Sequence, residues 1–227
     1  MIVVQQGKAQ EPRAVLFDFD GVLVRGDSFR LFLRMRVRHQ PWRAMLLLIL
    51  LPAAPLALYR AGRLVLSRWF VRVLLLGTSM PRYQALAESH ARVLATRRGL
   101  FVRDAVSALR RHLLRGDRVV VVTGCEEHLA RALLQAVRLD GVELVGSRLG
   151  AARFGVALVV HNVGQEKTGQ LSAWGVEPPY ACVYSDSAAD IPVLLLAERA
   201  VLVNPNPDLR ERLRSLLGEP YAEVEWA

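Results

Sequence analysis

A chain of 227 residues, 52% apolar, 22% charged and 7% aromatic, has the length of one domain carrying at most an inserted subdomain. Its apolar content and its mere two cysteines exclude a disordered chain, a collagen-like repeat and a disulfide scaffold. Residues 1–100 carry 16 Lys or Arg against 5 Asp or Glu, while the rest carry 14 against 16, so the first half is built to meet a polyanion, either nucleic acid or an anionic lipid surface.

In chain order, residues 1–13 mix Val with Gln, Lys and Glu and hold no continuous apolar run. They do not read as a secretory signal, which predicts a catalytic part that stays in the cytosol. Residues 14–17 are apolar throughout, as expected of a parallel strand covered on both faces, and are predicted to form the first, central strand. Between residues 26 and 99 the strand signal disappears. Helix-length apolar stretches, broken at Pro41, Gly62 and Pro81, predict an inserted helical cap over residues 26–99, with 1–25 and 100–227 forming the core.

The middle of that insert, residues 44–59, is a run of 16 uncharged residues framed by Arg43 and Arg60. As a helix rising about 1.5 Å per residue it spans about 24 Å, short of a hydrocarbon core of roughly 30 Å. Pro52 and Pro55 disturb it further. Residues 64–76 place Arg68 and Arg72 on one helical face and read as amphipathic. From residue 100 onward, apolar runs at 119–122, 142–145, 181–184 and 200–203 alternate with helical segments such as 127–137. This is an α/β pattern with a parallel sheet. Cys125 and Cys182 lack metal-ligand spacing and are expected as reduced, packed thiols.

The chemistry gathers at strand ends. Asp18 and Asp20 leave the first strand two residues apart and so project to one side, and Gly21 lets the backbone turn sharply behind them. Thr123 and Gly124 end the run 119–122. Ser185, Asp186 and Ser187, followed by Asp190, end the run 181–184, and Lys167 stands near the start of a helix running to Trp174. Open α/β sheets bind ligands at such carboxyl ends. A carboxylate nucleophile, a second carboxyl for proton transfer, a hydroxyl, an ammonium and further carboxylates suit phosphoryl transfer through an aspartyl phosphate. Asp18, Asp186 and a backbone carbonyl near Asp20 offer the hard oxygen ligands that Mg²⁺ prefers. Cys125 and Arg131 have the spacing of cysteine-dependent phosphatases, but Glu126 and Glu127 between them oppose a thiolate and a bound phosphate.

The segments DFDGVLV, VVVVTG, the Lys167 region and YSDSAAD, in that order, resemble the four motifs of the haloacid dehalogenase (HAD) superfamily. That resemblance implies a Rossmann-like α/β core with a parallel sheet and an α-helical cap inserted between the first two motifs, as in the phosphoserine-phosphatase-like branch. It implies Asp18 as nucleophile and Asp20 as general acid and base. Thr123, Gly124 and Lys167 become phosphate ligands, Asp18, Asp20 and Asp186 the Mg²⁺ site, and Asp190 its support. Ser185 departs from the glycine that many members carry.

The insert, with its basic helix, Gln-Pro, aliphatic run, Gly-Arg turn and second apolar helix, is similar to that of the phosphatidylglycerophosphatase C family. That similarity implies a bacterial enzyme at the cytoplasmic face of the inner membrane that removes the terminal phosphate of phosphatidylglycerol phosphate. Because Asp18 and Thr123 must meet, the chain between them crosses a bilayer an even number of times. The expectation is therefore a monotopic insertion with Arg30, Arg34, Arg36, Arg38, Arg43, Arg60 and Arg63 near anionic head groups. Arginines interleaved with leucine rather than with stacking aromatics speak against nucleic acid as the partner. Two alternatives stand beside this: a soluble phosphatase of phosphoserine type, and a non-enzymatic phosphoacceptor switch, which Asp20 and the large insert disfavour.

Overall fold

Strand β1 (Ala14–Phe17) is buried over its whole length. The computed structural model describes residues 13–139, 141–217 and 221–227, and the reading of residues 1–12 as lacking a signal lies outside them. β1 pairs in parallel with β2 (Arg118–Glu126) on one side and β5 (Cys182–Ser185) on the other. Outward of β2 lies β3 (Glu143–Ala152), also parallel, and then β4 (Gly155–Val160), which returns antiparallel. Outward of β5 lie β6 (Ala200–Val203) and β7 (Ala222–Val224), both parallel. The order β4-β3-β2-β1-β5-β6-β7 confirms β1 as the centre of a Rossmann-like sheet. Among the described residues the one departure from a purely parallel sheet is β4, whose signal is diluted by Gly155 and by the short turn joining it to β3.

Between β1 and β2 the chain forms α1 (Ser28–His39), α2 (Trp42–Leu46), a 3₁₀ helix (Leu47–Leu58), α3 (Arg60–Leu74), α4 (Met80–Ala95) and α5 (Arg103–Leu114). After β2 come α6 (Glu127–Ala136), α7 (Gln165–Ala173), α8 (Ile191–Leu194) and α9 (Pro207–Leu217). Period-two alternation divides the sheet residues. Val15, Phe17, Val119 and Val121 face a cluster shared with Phe32, Leu74, Tyr83 and Leu94 of the inserted helices. Leu16, Val120 and Val122 face Leu171, Leu202 and Leu209 on the opposite side. One apolar cluster therefore runs from the sheet into the insert, with α4 against α6 and α3 against β4.

Two readings of the insert are corrected. Gly62 does not break a helix; it lies inside α3, where a Cβ would stand 2.0 Å from the Leu56 carbonyl oxygen, so glycine lets α3 pack onto the preceding 3₁₀ turn. Arg43 does not face lipid. It is 4% exposed and donates to the carbonyls of Leu74 (2.6 Å) and Leu76 (3.0 Å) and to Gln40, tying the start of the aliphatic hairpin to its end. Arg36 is likewise buried and donates to Gln40. Arg34 and Arg38 are exposed, and the side chains of Arg60 and Arg63 lie outside the described residues. Pro52 and Pro55 sit within the 3₁₀ helix, the form the aliphatic run takes once prolines remove backbone donors. No single helix among the described residues is long and apolar enough to cross a membrane; α1 and the segment 42–58 together have the length but are bent by 109°.

Candidate active site

The carboxyl ends of β1, β2 and β5 meet beside the N-terminus of α7, and each contributes a polar group there. Asp18 follows β1 directly. Its amide donates to the Tyr184 carbonyl at 2.9 Å, and its Oδ1 accepts the Phe19 amide at 2.8 Å. Lys167, in the first turn of α7, reaches back with Nζ 3.1 Å from Asp18 Oδ1 and 2.7 Å from Asp190. All three side chains are buried. A buried ammonium between two carboxylates is the arrangement in which each charge makes the other tolerable. Burial disfavours the charge on Lys167, yet Asp18 and Asp190 together hold its pKa above the ordinary lysine value. For Asp18 burial dominates and pushes the carboxyl well above the usual range against the pull of Lys167, with Asp190 and Asp186 adding to the rise.

Asp20 is tied to the start of α1 through one carboxylate oxygen. Its Oδ1 accepts both the Ser28 amide (2.9 Å) and the Ser28 hydroxyl (2.6 Å). Burial raises it to about 6 although these bonds favour the charged form, so it can hold or release a proton near neutrality. Asp186 is also raised to about 6, by burial first and then by Asp190. Gly21 binds the loop geometry together. Its φ is +84°, and a Cβ there would stand 1.9 Å from Asp186 Oδ2. Only glycine lets the turn after Asp20 lie against the carboxylate at the end of β5.

Thr123, in the last third of β2 where its pairing with β3 is interrupted after Val122, is fully buried, and its Oγ1 accepts the Cys125 amide at 2.9 Å. The next residue, Gly124, offers its carbonyl to Ser147 Oγ. Asn162, which carries no distinguishing pattern in the sequence, is buried beneath this end and donates to the carbonyls of Thr123 and Val145. Ser28 escapes sequence reasoning too, because a serine opening a helix reads as an ordinary local group until the fold carries it to Asp20. Ser185 positions its neighbours. Its hydroxyl donates to Asp190 Oδ2 at 2.8 Å and accepts the Ser187 amide at 3.1 Å, and it thereby orients the carboxylate that holds Lys167. Cys125 and Cys182 are free, buried thiols, and burial raises Cys125 well above its ordinary value, which agrees with rejecting a thiolate mechanism.

Among the described residues no three His, Cys, Asp or Glu side chains form a metal-holding cluster. Asp20 engages Ser28 through Oδ1 alone, so its second carboxylate oxygen stays available to a cation. Two carboxylates, Asp18 and Asp186, remain at the paired strand ends, with the Asp20 backbone carbonyl in the turn between. This all-oxygen set, with Asp186 raising the pKa of Asp18, fits a hard divalent cation.

The sequence pattern of the haloacid dehalogenase-like hydrolases matches residues 15–195. The chain belongs to that family. This haloacid dehalogenase-like hydrolase is similar to Protein CicA of Caulobacter vibrioides, 28% identical over 193 residues covering 83% of this chain and 84% of that protein. It is also similar to the crystal structure of a protein of unknown function from Bordetella pertussis Tohama I, with TM-score 0.66, 21% identity and coverage of 94% of this chain and 98% of the other. A phospho-aspartyl intermediate analogue of phosphoserine phosphatase aligns with TM-score 0.55 and 17% identity over 89% of this chain and 91% of the other. At such identities the likeness to solved structures is one of fold.

Proposed function

We propose that this hydrolase is a phosphomonoesterase working through an aspartyl phosphate on Asp18, with Mg²⁺ as cofactor and phosphatidylglycerol phosphate as substrate. The observation that carries the chemistry is Lys167 held between Asp18 and Asp190, beside the Gly21 turn and Asp186. This arrangement supports a reading in which Asp18 is the nucleophile, Lys167 the fixed cation and Asp20 the proton-bearing carboxyl. An Asp18 oxygen bonds to phosphorus as the bond from phosphorus to the ester oxygen breaks, and Asp20 gives its proton to the departing oxygen. Asp20 then takes a proton from a water whose oxygen attacks the same phosphorus. The bond to Asp18 breaks, and inorganic phosphate leaves. Thr123, the Gly124 amide and Lys167 hold the remaining phosphoryl oxygens. When bound by Asp18, Asp186 and the Asp20 carbonyl, Mg²⁺ offsets the repulsion between carboxylate and phosphate.

The lipid substrate is supported by the insert. Met45, Leu48, Ile49, Leu51, Leu58 and Tyr59 are 59 to 81% exposed along one short segment, a patch whose hydration is costly and whose place is against an apolar phase. Exposed Arg30, Arg34 and Arg38 on the neighbouring α1 suit anionic head groups. The reading puts the protein on the cytoplasmic face of the inner membrane as a monotopic enzyme. The test is phosphate release from phosphatidylglycerol phosphate in detergent micelles with Mg²⁺. Asp18→Asn is expected to lose activity by at least about 10³-fold, and equal release by this variant removes Asp18 from its role. A protein that ignores both this lipid and anionic vesicles but cleaves phosphoserine supports the soluble alternative.

A further inference from the structure

A cleft of about 1160 Å³ begins at Gly124 and runs between α1, α3 and α4. Gly124 follows Thr123, so on the phosphatase reading the cleft offers a path for the alcohol part of a substrate. Its walls are apolar, with Leu33, Phe70, Leu74 and Val93 among them. Phe70 is also 40% exposed beside Trp69, so the cleft opens next to the apolar outer face of α3. The same cleft is lined by Arg30, Arg34, Arg38 and Arg97. The first three recur every four residues on α1 and form one stripe. Among the described residues none of these four arginines is ion-paired.

The only acidic residue lining the cleft among the described residues, Asp27, caps α1 by accepting the Arg30 amide at 2.7 Å. His90 and His161 also line it; burial first, then Arg97, lowers His90 to about 4, and burial first, then Arg68, lowers His161. His39 lines the cleft as well, and the four guanidiniums supply positive charge there that persists at any working pH. One phosphoryl group, which the phosphatase reading assigns to Lys167 and Thr123, does not account for four more cations lining this cleft.

We propose that Arg34 and Arg97, flanked by Arg30 and Arg38, are specificity-determining residues that bind a second anionic group on the substrate's leaving alcohol. Resting on the phosphatase reading above, this makes the preferred leaving group a phosphodiester placed between the scissile phosphate and an apolar tail. Guanidinium groups bind phosphodiester oxygens through paired charge-assisted hydrogen bonds. Such a leaving group matches what lines the cleft, which combines Gly124, the four arginines and apolar side chains.

The experiment compares kcat/KM in neutral-detergent micelles for phosphatidylglycerol phosphate, which has the phosphodiester, and phosphatidic acid, which lacks it. Wild type is compared with Arg97→Gln and Arg34→Gln/Arg97→Gln. The double variant is expected to lose about tenfold or more on the first substrate beyond any loss on the second, chiefly in KM. Equal losses on both overturn the assignment, because they mark a general attraction to charged micelles. The deacylated pair, glycerophosphoglycerol phosphate and glycerol 3-phosphate, separates this proposal from the lipid reading. If the wild type cleaves neither lipid yet prefers the first deacylated compound, and the variants lose that preference, the lipid substrate falls and the anion site stands. Absence of discrimination in both pairs overturns the site itself.

Discussion

Gly21 shows how a single missing methyl group can organise a reaction centre. A left-handed φ and an Asp186 oxygen 1.9 Å from the place of a Cβ mean that Gly21→Ala must displace the Asp20 turn, the Asp186 carboxylate, or both. Displacement by an ångström at a reacting centre costs about 10²-fold in rate, so Gly21→Ala is expected to lose at least that in kcat, read by phosphate release. Ser185 offers a milder test of the same centre. Its hydroxyl holds Asp190, which holds Lys167, and Ser185→Gly removes one link while keeping both charges. A stability loss of about 1 kcal/mol in urea unfolding is expected from the lost hydrogen bond; an unchanged midpoint argues that Asp190 is positioned without it.

At the scale of elements, the aliphatic hairpin is a surface structure built on a buried arginine. Arg43 satisfies two carbonyls where α3 ends. Arg43→Met leaves those acceptors unpaired and is expected to cost about 2 to 4 kcal/mol. Arg38→Met, on exposed α1 surface, should stay within about 0.5 kcal/mol. Urea titrations of the two variants separate a structural arginine from a solvated one, and similar midpoints would contradict the assignment. The exposed side chains Leu48 and Ile49, at 59 and 69%, support little of the fold from where they stand. The Leu48→Asp/Ile49→Asp variant is expected to unfold like wild type but to stop co-sedimenting with anionic vesicles. Retained sedimentation would assign membrane binding to the arginines alone.

At the scale of the whole molecule, the insert and the core share one apolar cluster, and a buried histidine in the insert reports on their joint stability. His90 is 8% exposed, and its Nε2 has no partner among the described residues. Its folded pKa, about 4, lies below the ordinary value near 6.5, so between these pH values the unfolded chain binds more protons and stability falls as pH decreases. The raised carboxyls Asp20 and Asp186, both at about 6, act in the opposite sense, so the contribution is isolated by difference. The stability of wild type minus that of His90→Leu should decline from pH 7 to pH 4 by up to about 3 kcal/mol. A flat difference would mean that His90 is already charged when folded.

What could be read directly from the residue order was whatever depends on local pattern. Runs apolar on both faces identified β1, β2, β5 and β6, and polar residues just beyond such runs pointed to Asp18, Thr123 and Asp186 as candidates, because a parallel sheet aligns its strand ends in space. The same order could not say that Ser28 would reach Asp20, that Asn162 would lie under Thr123, or that Arg43 would turn inward while Arg34 lines a cleft. Each of these depends on which face of a helix meets which neighbour across many intervening residues. Charge and hydropathy describe a side chain's cost in or out of water, but only the packed tertiary arrangement decides which carbonyl, carboxylate or cavity it meets.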